Sequence, residues 1–129
     1  MSEAVPADVE ELLTGEPTVA HLATARESRP HSAPVWYRYA DGVVEVVTTG
    51  RKLRDLRSNP RVSLSVHCGP PADPEWTATL WGTATVVDDE DQSAAAARRI
   101  NRRYGVDPEA WSDNTLVRID VGSASARTY

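Results

Sequence analysis

From Trp76 to Val86 the sequence alternates residue by residue. Trp76, Ala78, Leu80, Gly82, Ala84 and Val86 occupy the even positions, and Thr77, Thr79, Thr83 and Thr85 the odd ones. A period of two belongs to an extended strand with one buried face, not to a helix. A parallel strand buried on both faces would read as apolar throughout, so this pattern calls for antiparallel neighbours. Residues 61–67 repeat it, with Val62, Leu64 and Val66 against Ser63 and Ser65. Residues 43–49 (VVEVVTT) add a run rich in β-branched residues. Trp81 breaks the rule as the one large apolar residue on the threonine face.

The other segments fit around these strands. Val9, Leu12 and Leu13 predict a helix over residues 6–14, ended by Gly15. Residues 18–24 predict a strand, 27–30 (ESRP) a turn, and 31–39 a second strand. In that strand Val35, Tyr37 and Tyr39 share one face, Trp36 and Arg38 the other, and Pro34 marks a sheet edge or a bulge. Asp41 and Gly42 signal a hairpin turn. Residues 51–58 (RKLRDLRS) form a short helix with Leu53 and Leu56 as its buried face, stopped by Asn59 and Pro60. Residues 88–104 start acidic and end in Arg98, Arg99, Arg102 and Arg103, a dipole pattern that reads as a solvated helix end. The last strand is expected over 115–121. About six antiparallel strands with flanking helices in 129 residues predict a single domain, mainly β, closed as a split barrel.

Composition narrows the function. The net charge of −5 argues against nucleic acid as a partner. No apolar run is long enough to span a membrane, and the acidic first ten residues do not read as a signal peptide, so we expect a cytoplasmic protein. Cys68 is the only cysteine, which leaves no internal disulfide and no cysteine-based zinc site. His21, His31 and His67 lack metal spacing, and Glu45 and Asp120 read as lone acids in strands.

The stretch with chemical content is Thr48, Thr49, Gly50, Arg51 and Lys52, where a strand feeds a helix. Lys52 is the only lysine among 14 Lys and Arg residues. Two cations at a helix start oppose the dipole, each by about 0.3–1 kcal/mol. A bound phosphate would remove the conflict, because free backbone N–H groups, threonine hydroxyls and both cations would converge on it. The alternative is an Arg51–Asp55 pair along the helix with Lys52 in solvent. No glycine-rich P-loop or dinucleotide fingerprint is present.

Residues 48–64, TTGRKLRDLRSNPRVSL, resemble the flavin-binding split barrels related to pyridoxamine 5′-phosphate oxidase. That family runs through the same order: a strand ending in a Thr-containing turn, an Arg-Lys pair, a short helix, Asn-Pro, and a strand with Ser-Leu. Trp81-Gly82-Thr83-Ala84 is similar to the family's Gly-x-Ala strand, Pro30 to Trp36 to the strand along which the ring system lies, and Val117 to Val121 to the final barrel strand. The resemblance spans residues 18–121.

The resemblance implies a homodimer with sites at the subunit interface, while charge and the lack of a long apolar run speak against nucleic acid and membrane partners. It implies FMN or coenzyme F420, a deazaflavin, as cofactor, and hydride transfer to a small organic substrate. Arg51 and Lys52 would hold the phosphate, Thr48, Thr49 and Gly50 would lie near the sugar-like chain, and Ser32, Ala33, Pro34, Val35 and Trp36 would line the ring. Trp81 would line the cofactor cleft or the dimer interface. The oxidase proper carries a C-terminal segment for pyridoxal phosphate that has no counterpart here, so oxidation of pyridoxamine phosphate is not expected. No general acid is identifiable, with Tyr37 the nearest candidate. A cofactor carrier without turnover is the alternative reading.

Overall fold

A computed structural model describes residues 4–129. The opening helix α1 (Ala7–Leu13) buries Val9 and Leu13. It is followed by β1 (Ala20–Arg26), β2 (Arg29–Val35), β3 (Arg38–Ala40) and β4 (Val43–Thr48). Helix α2 (Arg51–Ser58) leads into β5 (Arg61–Cys68) and β6 (Trp76–Val87). Helix α3 (Glu90–Arg103) and the long β7 (Thr115–Thr128) complete the chain. The strands form one antiparallel sheet in the order β2-β1-β5-β6-β7-β4-β3.

That order decides the shape. β2 and β3 lie at opposite edges of the sheet, yet only Trp36 and Tyr37 separate them in sequence. Three Cα steps span at most about 11 Å. The sheet must therefore curl until its edges nearly meet, which gives a barrel split along one seam. The single strand expected over 31–39 is thus two strands, and the count is seven rather than six. The backbone leaves the ladder at Tyr37, whose N–H donates to the Tyr104 hydroxyl at 3.2 Å instead of to a neighbouring strand. The expected alternation of faces survives the break: Val35, Tyr37 and Tyr39 are buried while Trp36 and Arg38 are partly exposed. β2 is an edge strand, where Pro30 and Pro34 leave no ladder bond unmade.

The turns follow local rules. Glu27 and Ser28 both take left-handed φ (50° and 64°), so the first hairpin turns more tightly than the expected 27–30. Asp41 and Gly42 do the same at 47° and 81°, the conformation that matches strand twist. The α3 helix is capped by Asp89, whose carboxylate accepts from Gln92 N–H at 2.9 Å. Helix α2 packs its expected face on the core, with Leu56 buried and Leu53 partly covered, and buries Asp55 as well. Asp55 is tolerated inside because it accepts from the Thr24 hydroxyl at 3.1 Å and lies 3.6 Å from the Arg51 guanidinium.

The barrel interior is filled by Leu22, Val44, Val46, Leu64, Leu80, Ile119 and their neighbours, with α1 closing one part of it. β7 continues seven residues past the expected end at Val121, pairing with β6 as far as Trp76↔Thr128. The pairing slips between Trp81 and Gly82, where Trp81 faces Ser123 and Gly82 faces Val121. The extra residue on β7 is Gly122, a bulge that bends the pair. A Cβ on Gly82 would stand 2.4 Å from the Asp120 carbonyl oxygen, so only glycine permits this approach. Gly82→Ala is expected to destabilise the fold by about 1–3 kcal/mol. Urea unfolding measures it, and an unchanged midpoint would mean that β6 and β7 do not approach this closely.

Candidate functional site

A cavity of about 340 Å³ opens beside the β2–β3 crossing. One end is polar: Thr48 and Thr49 close β4, and Lys52 lies in the first turn of α2. The rest is lined by Val19, Pro34, Val35, Trp36, Val47, Ile100, Asn101, Trp111 and Asn114. The chain enters α2 through Gly50 at φ 68°, a conformation suited to glycine, and no side chain caps the helix. Its first N–H groups are therefore open to an acceptor.

The sequence-predicted residues divide. Pro34, Val35, Trp36, Thr48, Thr49 and Lys52 line this cavity together. Ser32 and Ala33 continue along β2 without lining it, and Gly50 only shapes the turn. Arg51 points away from Lys52. It pairs with Asp55 and lines a separate surface hollow with Arg26, Arg29 and Arg54. Arg51 thus takes the ion pair along the helix, while Lys52 lines the cavity. Trp81 lies on the outer face of β6, 48% exposed, and does not line the cavity.

Sequence reasoning missed Asn101, Trp111 and Asn114. They come from the end of α3 and the connection that follows it, where no motif announces them. Asn101 is fully buried. Its Nδ2 donates to the Pro108 and Ala110 carbonyls at 3.1 and 2.8 Å, and its Oδ1 has no partner among the described residues. Arg102 is exposed as expected, but the other three arginines ending α3 are not simply solvated. Arg98 pairs with Glu109 at 2.9 Å, Arg99 with Glu45 at 2.8 Å, and Arg103 donates to the Leu13 and Gly15 carbonyls.

Electrostatics rule out several side chains as reactive groups. The Tyr37 hydroxyl donates to the Leu13 carbonyl at 3.1 Å, and burial pushes its pKa up to about 12. It does not line the cavity and so is no proton donor there. The Cys68 thiol is pushed up by burial and by its hydrogen bond to Glu75, so it stays protonated. Cys68, Glu16 and Glu75 do come within 4.8 Å of one another, but both glutamates are exposed. His21 and His67, far apart in sequence, stack at 6.1 Å across β1 and β5.

Comparisons place the fold. The profile of the pyridoxamine 5′-phosphate oxidase family matches residues 5–126. The chain belongs to that family. Among solved structures, an F420 reductase is 26% identical over 89% of this chain and 94% of its own, with a TM-score of 0.73. An FAD-binding protein from Mesorhizobium loti is 25% identical over 97% and 96%, with a TM-score of 0.76. A protein from Mycobacterium tuberculosis is 24% identical over 99% and 85%, with a TM-score of 0.78, and shares the fold. No curated protein matches the sequence. No helix of the described residues is long and apolar enough to cross a membrane.

Glu45 connects the site to stability. Burial raises its carboxyl, but the hydrogen bonds and charges of Arg99 and then Arg38 outweigh that and hold it below 4.5. The bonds run from Arg99 at 2.8 and 3.2 Å and from Arg38 at 3.0 Å. They fasten α3, a wall of the cavity, to β4. A depressed carboxyl stabilises fully above its unfolded value, and that contribution is lost as pH falls through the folded value. Glu45→Gln is expected to cost about 1 kcal/mol near neutral pH, after screening at the half-exposed guanidiniums. The cost should shrink as the pH falls through the depressed folded value of the carboxyl. Urea midpoints across that range test it, and a loss independent of pH would assign the effect to packing.

Proposed function

We propose that the cavity binds a phosphorylated flavin-type cofactor, FMN or coenzyme F420. In this reading the chain is an oxidoreductase acting on a small organic substrate. One observation carries it: the single lysine of the chain lines the same cavity as two threonines and two tryptophans, in a fold of this family. The donor set fits the group. Lys52, the Thr49 hydroxyl and the uncapped start of α2 suit a phosphate. Pro34, Val35 and Trp36 offer an apolar edge for a flat ring, with Ser32 and Ala33 continuing the strand. When bound, such a ring supplies hydride transfer. The chain's part is to fix the ring, hold the phosphate and keep water from the apolar end.

Lys52 is the only ionisable residue lining the cavity among the described residues. No side chain there acts as a general acid, so proton movement is left to water or to the substrate. The same feature favours the second reading, a carrier that binds cofactor without turnover. Steady-state assays with reduced cofactor separate the two. The F420 reductase among the similar structures supports the deazaflavin, and the FAD-binding protein supports a flavin. The absorbance of the chromophore that co-purifies distinguishes them.

Lys52→Ala is expected to weaken FMN or F420 binding tenfold to about a hundredfold. Without cofactor the variant should be as stable as the parent or slightly more so, because a cation leaves the positive end of the helix. Titration of the apo protein reads both effects, and an unchanged dissociation constant would move the phosphate elsewhere.

We also propose that the protein works as a homodimer. Trp81 supports this reading, because it stands exposed on a strand face otherwise made of threonines, and large aromatics favour interfaces. Sedimentation at micromolar concentration should give a dimer that Trp81→Ala weakens more than it lowers thermal stability. A cofactor-loaded monomer would end the proposal.

A further inference from the structure

The connection between α3 and β7, residues 105–114, is held far more firmly than a surface loop requires. Asn101 binds two of its carbonyls from below, and Val106 N–H donates to the Asn101 carbonyl at 3.0 Å. Arg98 ties down Glu109 at 2.9 Å, and Glu109 N–H donates to the Asp107 carboxylate at 2.9 Å. Ala110 N–H reaches the Asp107 carbonyl and Asn114 N–H the Trp111 carbonyl, both at 3.0 Å. With its Oδ1 unpartnered among the described residues, Asn101 directs its side-chain hydrogen bonding to this loop alone.

What the loop presents is Trp111. Its φ is 60°, a left-handed conformation that is unusual for a bulky residue and is kept only where its surroundings fix it. It lines the cavity and yet is 59% exposed, an aromatic face with nothing yet packed on it. Trp36, on the same cavity, is fixed as well, since it stacks on Tyr104 at 4.7 Å with the rings 9° from parallel. Trp36, from the β2–β3 crossing, and Trp111, from the loop after α3, line the same largely apolar cavity as Lys52.

We propose that the 105–114 loop is a recognition element: Asn101 positions it so that Trp111 forms the wall on which the planar ring of the cofactor lies. This rests on the cofactor reading above and assigns the ring to Trp111 and the phosphate to Lys52. Rigid aromatic surfaces suit flat ligands because stacking costs little conformational entropy.

Ligands with and without the phosphate separate the two contacts. Riboflavin and FMN serve as one pair, and coenzyme F420 with its phosphate-free deazaflavin chromophore as the other. Trp111→Ala should weaken both members of the bound pair by the same factor, roughly tenfold, with an unchanged sedimentation coefficient. Trp111→Phe should restore most of the loss. Lys52→Ala should weaken only the phosphorylated member. Asn101→Ala should lower ring affinity in the parent and lower it no further in the Trp111→Ala background, a coupling that general destabilisation would not produce. If Lys52→Ala weakens FMN or F420 while Trp111→Ala leaves both members unchanged, the wall is wrong and the cavity assignment stands. If neither pair binds the parent protein, both fall.

Discussion

The Tyr104 hydroxyl is the joint on which the barrel closes. It accepts the Tyr37 N–H, which the crossing from β2 to β3 has taken out of the sheet, and donates to the Thr18 carbonyl at 2.6 Å. Its ring supports Trp36, and the Arg103 guanidinium beside it lies 5.3 Å from the centre of the Tyr37 ring. Arg103 also holds the end of α1 through the Leu13 carbonyl at 2.9 Å. A chain that moves from one sheet edge to the other in two residues strands polar backbone at the crossing. Unpaired, such groups cost about 1–3 kcal/mol each. One tyrosine and one arginine from the end of α3 resolve that cost and join α1, the crossing and the segment before β1.

The cavity is a by-product of the same closure. The seam cannot be sealed by strand pairing, because β2 and β3 diverge from a common point. The gap is roofed instead by α3 and its following loop, with Glu45 on β4 gripping Arg99 on α3. Arg98, Arg99 and Arg103 of α3 thus act as fasteners around the hollow, and Lys52 lines it from α2.

Much of the barrel was legible in the sequence because its strands show one face to the core. The alternation in β5 and β6, the Asp41-Gly42 turn and the capped, dipole-matched helix α3 all obey local rules. The break at Trp36 and Tyr37 was not legible. The alternation runs straight through it, and the deciding partner, Tyr104, lies 67 residues away. The end of β7 was hidden for the opposite reason: after Val121 its residues are mostly exposed on both faces and carry no apolar period. At the site, the Thr-Thr-Gly-Arg-Lys turn could be read, since a helix start loaded with cations conflicts with the dipole. That Arg51 and Lys52 diverge depends on Asp55 being buried, which spacing permits but does not require. Asn101 and Trp111 gave no signal, because their roles come from tertiary contacts between a helix end and an irregular loop.

β6 and β7 are direct neighbours in the sheet, with Val87 opposite Leu116. Helix α3 and its loop therefore sit inside what would otherwise be a simple hairpin. The polar fixed points of this inserted cassette include a phenol at the crossing, a guanidinium for the α1 carbonyls and a cation for Glu45. The buried face of α3 (Ala96, Ala97, Ile100) and the Ser93 hydroxyl that accepts the Leu116 N–H are fixed as well, so drift is left to the exposed positions of the cassette. One lineage can thus retune what enters the hollow by exchanging a cassette of fewer than thirty residues, while the sheet that grips the other side stays constant.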